Sequence, residues 1–116
     1  MKRFYVDLLG FDVEWEPDAD NVYLSSGTDN LALHRAPLAS TGQQEQVPTP
    51  GALDHLGLIV RSAADVDRWA NFLESRGIVL EAQPRTHRDG ARSFYFKDPD
   101  GNGIQISHHP PISQKL

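Results

Sequence analysis

The chain has 116 residues, no cysteine and a formal net charge of −5; it is long enough for one domain with one core and short for two ordinary ones. The acidic balance and scattered basic residues argue against a nucleic-acid partner, and the missing cysteines remove thiol catalysis, thiolate metal sites and disulfides, as suits a reducing compartment. No apolar run reaches the length of a membrane span, and the start lacks the basic-then-apolar layout of a signal peptide, so the expectation is a cytoplasmic protein with no membrane partner.

In chain order, Phe4, Tyr5, Leu8 and Leu9 form a helical stripe that Gly10 ends. Three β-rich stretches follow, FDVEWEP (11–17), NVYLSS (21–26) and NLALHRAP (30–37). Residues 38–52 are polar, contain Pro and Gly and show no periodicity, which predicts a linker. LDHLGLIV (53–60) is again β-rich. Ser62 and Asp65 make a capping-box pattern, after which Val66, Trp69, Ala70, Phe72 and Leu73 recur at helical spacing until Gly77 supplies a left-handed stop. Strands are predicted over 78–84, 92–97 and 103–109. DPDGN (98–102) resembles a calcium loop in composition but lacks the further acidic positions and the final Glu; it reads as a hairpin turn. His108, His109, Pro110 and Pro111 form a short tail element, expected at the surface.

The two halves superimpose in order, LLGFDVEWEP on ESRGIVLEAQP and VYLSSGTDNLALHRAP on FYFKDPDGNGIQISHHP, which points to an internal duplication. The units are 1–37 and 53–116, within a single α+β domain. Carried back by the same offset, strand 53–60 falls wholly before Met1, so the first unit is expected to lack its leading strand and the natural chain to start upstream. The sheet edge left open predicts a homodimer.

Alternation sorts the side chains. Phe94, Phe96, Ile104 and Ile106 point one way, toward a helix, while Ser93, Tyr95, Gln105 and Ser107 point the other. By the same rule His55 falls on the polar side with Gly57 and Ile59, so His55 and Gln105 are expected to share a cavity for a small-molecule ligand.

RFYVDLLGF (3–11), LDHLGLIV (53–60) and above all SFYFKDPDGNGIQI (93–106) resemble the vicinal oxygen chelate superfamily, also called the glyoxalase/bleomycin resistance/extradiol dioxygenase family. The resemblance implies paired βαβββ units, each curling into half of a cup. In metal-dependent members four ligands, usually His and Glu, hold a divalent ion that binds two adjacent substrate oxygens. Carried over, His55 and Gln105 match two ligand positions, with Gln a weaker, neutral donor where Glu is usual. Ala32 stands at a third, and the fourth belongs to the absent strand. The implied cofactor is one divalent ion: Mn, Fe, Ni or Zn. His34, two residues beyond Ala32, is either a displaced ligand or a surface histidine.

Ser93 and Tyr95 match positions that line the substrate pocket in fosfomycin-resistance relatives. Arg88 and Arg92 lie in THRDGARS (86–93), which by resemblance arches over the cup mouth; either one clamps an anionic substrate group or the loop is simply solvated. Two functions stay open. One is a metal-dependent lyase, isomerase or dioxygenase acting by Lewis-acid catalysis. The other is a metal-free protein of the bleomycin-resistance kind that sequesters a planar ligand against Trp15, Tyr23 and Tyr95.

Overall fold

A computed structural model of the protein describes residues 1–35, 53 and 55–116; the expected linker at 38–52 lies outside them. The chain divides into two compact units, Met1–Val47 and Pro48–Leu116. Their sheets have three and four strands, and the fold is α+β.

In the first unit a helical turn leads into β1 (Asp12–Asp18), β2 (Asn21–Ser25) and β3 (Leu31–His34), an antiparallel meander in the order β1-β2-β3. The predicted opening α-helix is instead a π-helical turn over Phe4–Leu8. The physical reason lies at its exit: Gly10 takes φ 83 and folds the chain back, so that the N–H of Phe11 donates to the Tyr5 carbonyl at 2.9 Å and that of Leu9 to Phe4 at 3.1 Å. The wider turn lets the Phe11 ring meet Tyr5 edge-on at 5.5 Å. Among the described residues of this unit, Tyr5, Leu9, Phe11, Val22 and Leu24 are the buried apolar ones. Between β2 and β3 the Asp29 carboxylate gathers the Ser26 N–H at 2.7 Å and the hydroxyls of Ser26 and Ser25. Partial burial pushes Asp29 upward, but the Ser26 and Ser25 donors outweigh it and hold the carboxyl below the usual range.

The second unit contains β4 (Leu56–Ile59), α1 (Ala63–Ser75), β5 (Leu80–Thr86), β6 (Arg92–Lys97), β7 (Gly103–His108) and α2 (Pro110–Ser113). Its sheet order is β4-β7-β6-β5, with β4 parallel to β7 and the other pairs antiparallel. The meander β5-β6-β7 thus repeats β1-β2-β3. Among the described residues of the first unit, nothing holds beside β3 the place that β4 holds beside β7.

Local chemistry explains the boundaries. The Ser62 hydroxyl caps α1 by accepting the Asp65 N–H at 3.1 Å, and Gly77, at φ 82, ends it while the Ile78 N–H returns to the Leu73 carbonyl at 3.0 Å. Val66, Ala70 and Leu73 of α1 are buried, as are Phe94, Phe96, Ile104 and Ile106 of the sheet it covers. Phe94 and Phe96 have no exposed surface and stack with centroids 5.8 Å apart. β5 runs two residues past the predicted end at Pro84, because it is the edge strand, where a missing N–H breaks no ladder.

The β6–β7 turn is held by one side chain. Asp98, only 4% exposed, accepts from the backbone of Asp100 and Asn102 at 3.0 and 2.9 Å and from the Asn102 amide at 2.8 Å. This fixes Lys97 opposite Gly103 and hence Tyr95 opposite Gln105. Of the tail expected at the surface, His108 closes β7 and is half-buried, and Pro110 and Pro111 open α2, whose Ser113 hydroxyl donates to the Val60 carbonyl at 2.7 Å.

Candidate functional site

Register assembles the face of the second sheet turned away from α1. Gly57, Gln105, Tyr95 and Ala82 form one row across β4, β7, β6 and β5, and Ile59, Ser107, Ser93 and Arg85 form the next. Paired residues share a face, so these eight look the same way. Gln105 donates its Nε2–H to the Tyr95 hydroxyl at 2.9 Å. The Tyr95 ring meets the His55 imidazole edge-to-face at 5.3 Å and 89°. His55, Gln105 and Tyr95 are all half-buried, while Ser93 and Ser107 are buried. The structure thus brings together His55, Gln105, Tyr95 and Ser93 of the predicted site.

Two further residues join them. Arg85 donates to His87 Nδ1 at 3.2 Å, so the proton of a neutral imidazole sits on Nε2, which donates to Ser93 Oγ at 2.9 Å. Alternation from Ala82 would have put Arg85 on the opposite face; the irregularity in β5 between Ala82 and Arg85 brings it round, and no sequence signal marked it. Arg88 stands at the exposed hairpin tip, where Arg85, Thr86, His87, Arg88 and Asp89 line an open groove.

Arg92 is placed differently. It alternates with Ser93 and so lies on the α1 side with Phe94. There its Nε and Nη2 donate to the Asp67 carboxylate at 2.7–3.2 Å and its Nη1 to Thr86 at 3.0 Å. The hydrogen bond to Asp67 raises its already high pKa. Its guanidinium therefore braces the sheet against the helix and does not face Tyr95.

Trp15 and Tyr23 belong to the first unit, where they stack at 5.2 Å and 20°. Trp15 is 61% exposed. Ala32 pairs with Tyr23 and His34 with Asn21, so Trp15, Tyr23, Ala32 and His34 share one face. His34 donates from Nδ1 to Asn21 Oδ1 at 2.6 Å and meets the Tyr23 ring at 5.6 Å.

Around Gln105 the available donors are an imidazole, an amide and a phenol, all without formal charge in their ordinary neutral forms. Among the described residues no three His, Cys, Asp or Glu side chains cluster so as to hold a metal ion. A neutral pair without a carboxylate suits Mn²⁺ or Fe²⁺ poorly. His55 and Gln105 do not by themselves fit a divalent centre.

Two meanders, each led by a helical turn and a left-handed glycine, with polar and aromatic side chains on the face of the sheet, define a duplicated α+β class of protein. The chain belongs to the Glyoxalase/Bleomycin resistance protein/Dioxygenase superfamily, whose family model matches residues 1–106. It is 28% identical over 107 residues to protein YraH of Bacillus subtilis (strain 168), covering 90% of this chain and 84% of that one. It is 29% identical over 111 residues to the Virulence protein STM3117 of Salmonella typhimurium (strain LT2), covering 92% and 73%. Its fold superimposes on a lactoylglutathione lyase from Agrobacterium tumefaciens with TM-score 0.71 at 26% identity, covering 92% and 81%. Among the described residues no helix is long and apolar enough to cross a membrane.

Proposed function

We propose that the protein binds a small uncharged molecule on the face built by His55, Tyr95, Gln105 and Ser93, with hydrogen bonds rather than a metal ion as the organising contacts. The observation that carries this reading is the Gln105–Tyr95 hydrogen bond. It commits the amide N–H to a phenol, where a liganding side chain would bring an anion. The bond also fixes polarity: the Gln105 carbonyl accepts from a ligand, and the Tyr95 hydroxyl, which already accepts, donates onward. Arg85 and Arg88 at the rim add positive charge for a substituent that reaches them.

The second reading is a divalent-metal-dependent lyase, isomerase or dioxygenase. It is supported by the likeness to the lactoylglutathione lyase and by the contact that His55 and Gln105 each make with the same side chain, Tyr95. Nuclear magnetic resonance with a panel of phenols, indoles and pyridones, beside calorimetry with Mn²⁺ and Ni²⁺, separates the two. Saturable shifts of the Tyr95 and Gln105 signals in metal-free protein support the first. Ligand binding that appears only after Mn²⁺ or Ni²⁺ is added would replace it with the second.

A further inference from the structure

Gly57 lies inside β4, opposite Gln105, and its backbone gives no reason for glycine, because its φ is outside the left-handed region. A glycine within a strand costs roughly 0.5–1 kcal/mol against alanine and often marks the close approach of a ligand. Packing gives no reason either. A Cβ at Gly57 would meet one heavy atom within 4 Å, Gln105 Oε1, at 3.4 Å, which is ordinary contact. What the missing side chain does is leave bare backbone beside the Gln105 carbonyl, while one Gln105 N–H is committed to Tyr95.

We infer that Gly57 is the floor of the ligand site and the residue that selects its ligand: a flat, uncharged ring carrying an N–H or O–H at its edge. This rests on reading the Gln105–Tyr95 face as the binding surface. The ligand is flat because a side chain at position 57 would stand where the ring lies. It brings a donor because the Gln105 carbonyl only accepts. It is uncharged because Gln105 and Tyr95, the side chains beside Gly57 in the row, offer its edge a carbonyl and a hydroxyl and no ion-pair partner. The geometry suffices: an atom in the place of a Cβ is 3.4 Å from Oε1, and a donor about 0.5 Å closer makes a normal hydrogen bond.

The test uses the full ¹⁵N-labelled chain, with indole as probe and 1-methylindole, which lacks the N–H, as control. In the native protein indole should shift the Gly57 and Gln105 signals saturably, and 1-methylindole should bind about tenfold more weakly because it leaves the carbonyl unpaired. Gly57→Val adds a side chain that strands favour, so its melting temperature should hold or rise while indole affinity falls at least about tenfold. Gly57→Ala should fall between. Indole binding by Gly57→Val within about threefold of native overturns the role of Gly57 while leaving the face as the binding surface. The same role is overturned if both variants lose binding only in step with a lowered melting temperature, since the fold then requires the glycine. If indole, 1-methylindole and the phenol and pyridone panel all leave Tyr95 and Gln105 unmoved, the binding-surface reading itself fails and this inference with it.

Discussion

Asp98→Ala tests how the β6–β7 turn positions the site. The side chain is 4% exposed and accepts from two backbone N–H groups and one side-chain amide, at 2.8–3.0 Å. Hydrogen bonds to a charged partner contribute about 1.5–3 kcal/mol each, but Asp100 and Asn102 are exposed, so water recovers part of the loss. The expected destabilisation is about 2–3 kcal/mol, which lowers the melting temperature by roughly 8–12 °C for a domain of this size. Asp98→Asn keeps an oxygen for the backbone donors but sets an amide against the Asn102 amide; about 1 kcal/mol is expected. Urea unfolding measures both. The turn also fixes Tyr95 opposite Gln105, so Asp98→Ala should weaken the Gln105 side-chain contact with Tyr95 in spectra of the folded protein. An alanine variant within about 0.5 kcal/mol of native, the spread of neutral surface substitutions, would refute the claim that this carboxylate organises the turn.

Three further outcomes are expected. Gln105→Glu should strengthen Mn²⁺ and Ni²⁺ binding by at least about tenfold, and His55→Ala should abolish whatever binding the native protein shows; calorimetric titration of the three proteins checks this, and equal affinities would mean that neither side chain faces a metal. Light scattering over the micromolar range should report a homodimer, with β3 offering its open edge to a second copy; a monomer mass at all concentrations counts against it. The depressed Asp29 makes the β2–β3 connection stabilising above the ordinary aspartate range near about pH 4, and that stabilisation is lost as pH falls through the lower folded value. The Ser26 amide signal should follow this acid titration in the native protein and stay flat in Asp29→Asn.

Much of the fold was legible because its signals are local. Ser62 and Gly77 bracket α1, and alternation separated Phe94, Phe96, Ile104 and Ile106 from Ser93, Tyr95, Gln105 and Ser107 as the buried and open faces require. The π-helical start was not legible, since periodicity of Phe4, Tyr5, Leu8 and Leu9 does not reveal which carbonyl each N–H chooses. Arg92 was misread as a loop residue although the alternation that placed Ser93 on one face placed Arg92 on the other. Its partner Asp67 lies 25 residues away in sequence and only folding brings it near. The Gln105–Tyr95 bond and the His87–Ser93 contact depend likewise on register, which the Asp98 turn and the edge position of Pro84 decide.

The place of β7 carries a consequence for how the protein comes into being. It is the last strand of the second unit and yet an inner one, paired with β6 on one side and β4 on the other. β4 precedes it by about fifty residues, which β4 must wait through during synthesis before its parallel partner exists; such non-local closures slow folding. Until Gly103–His108 emerges, β4 has no strand to pair with and the part of α1 that packs on β7 stands uncovered. The face that carries His55, Tyr95 and Gln105 is therefore completed only when β7 is seated between β4 and β6.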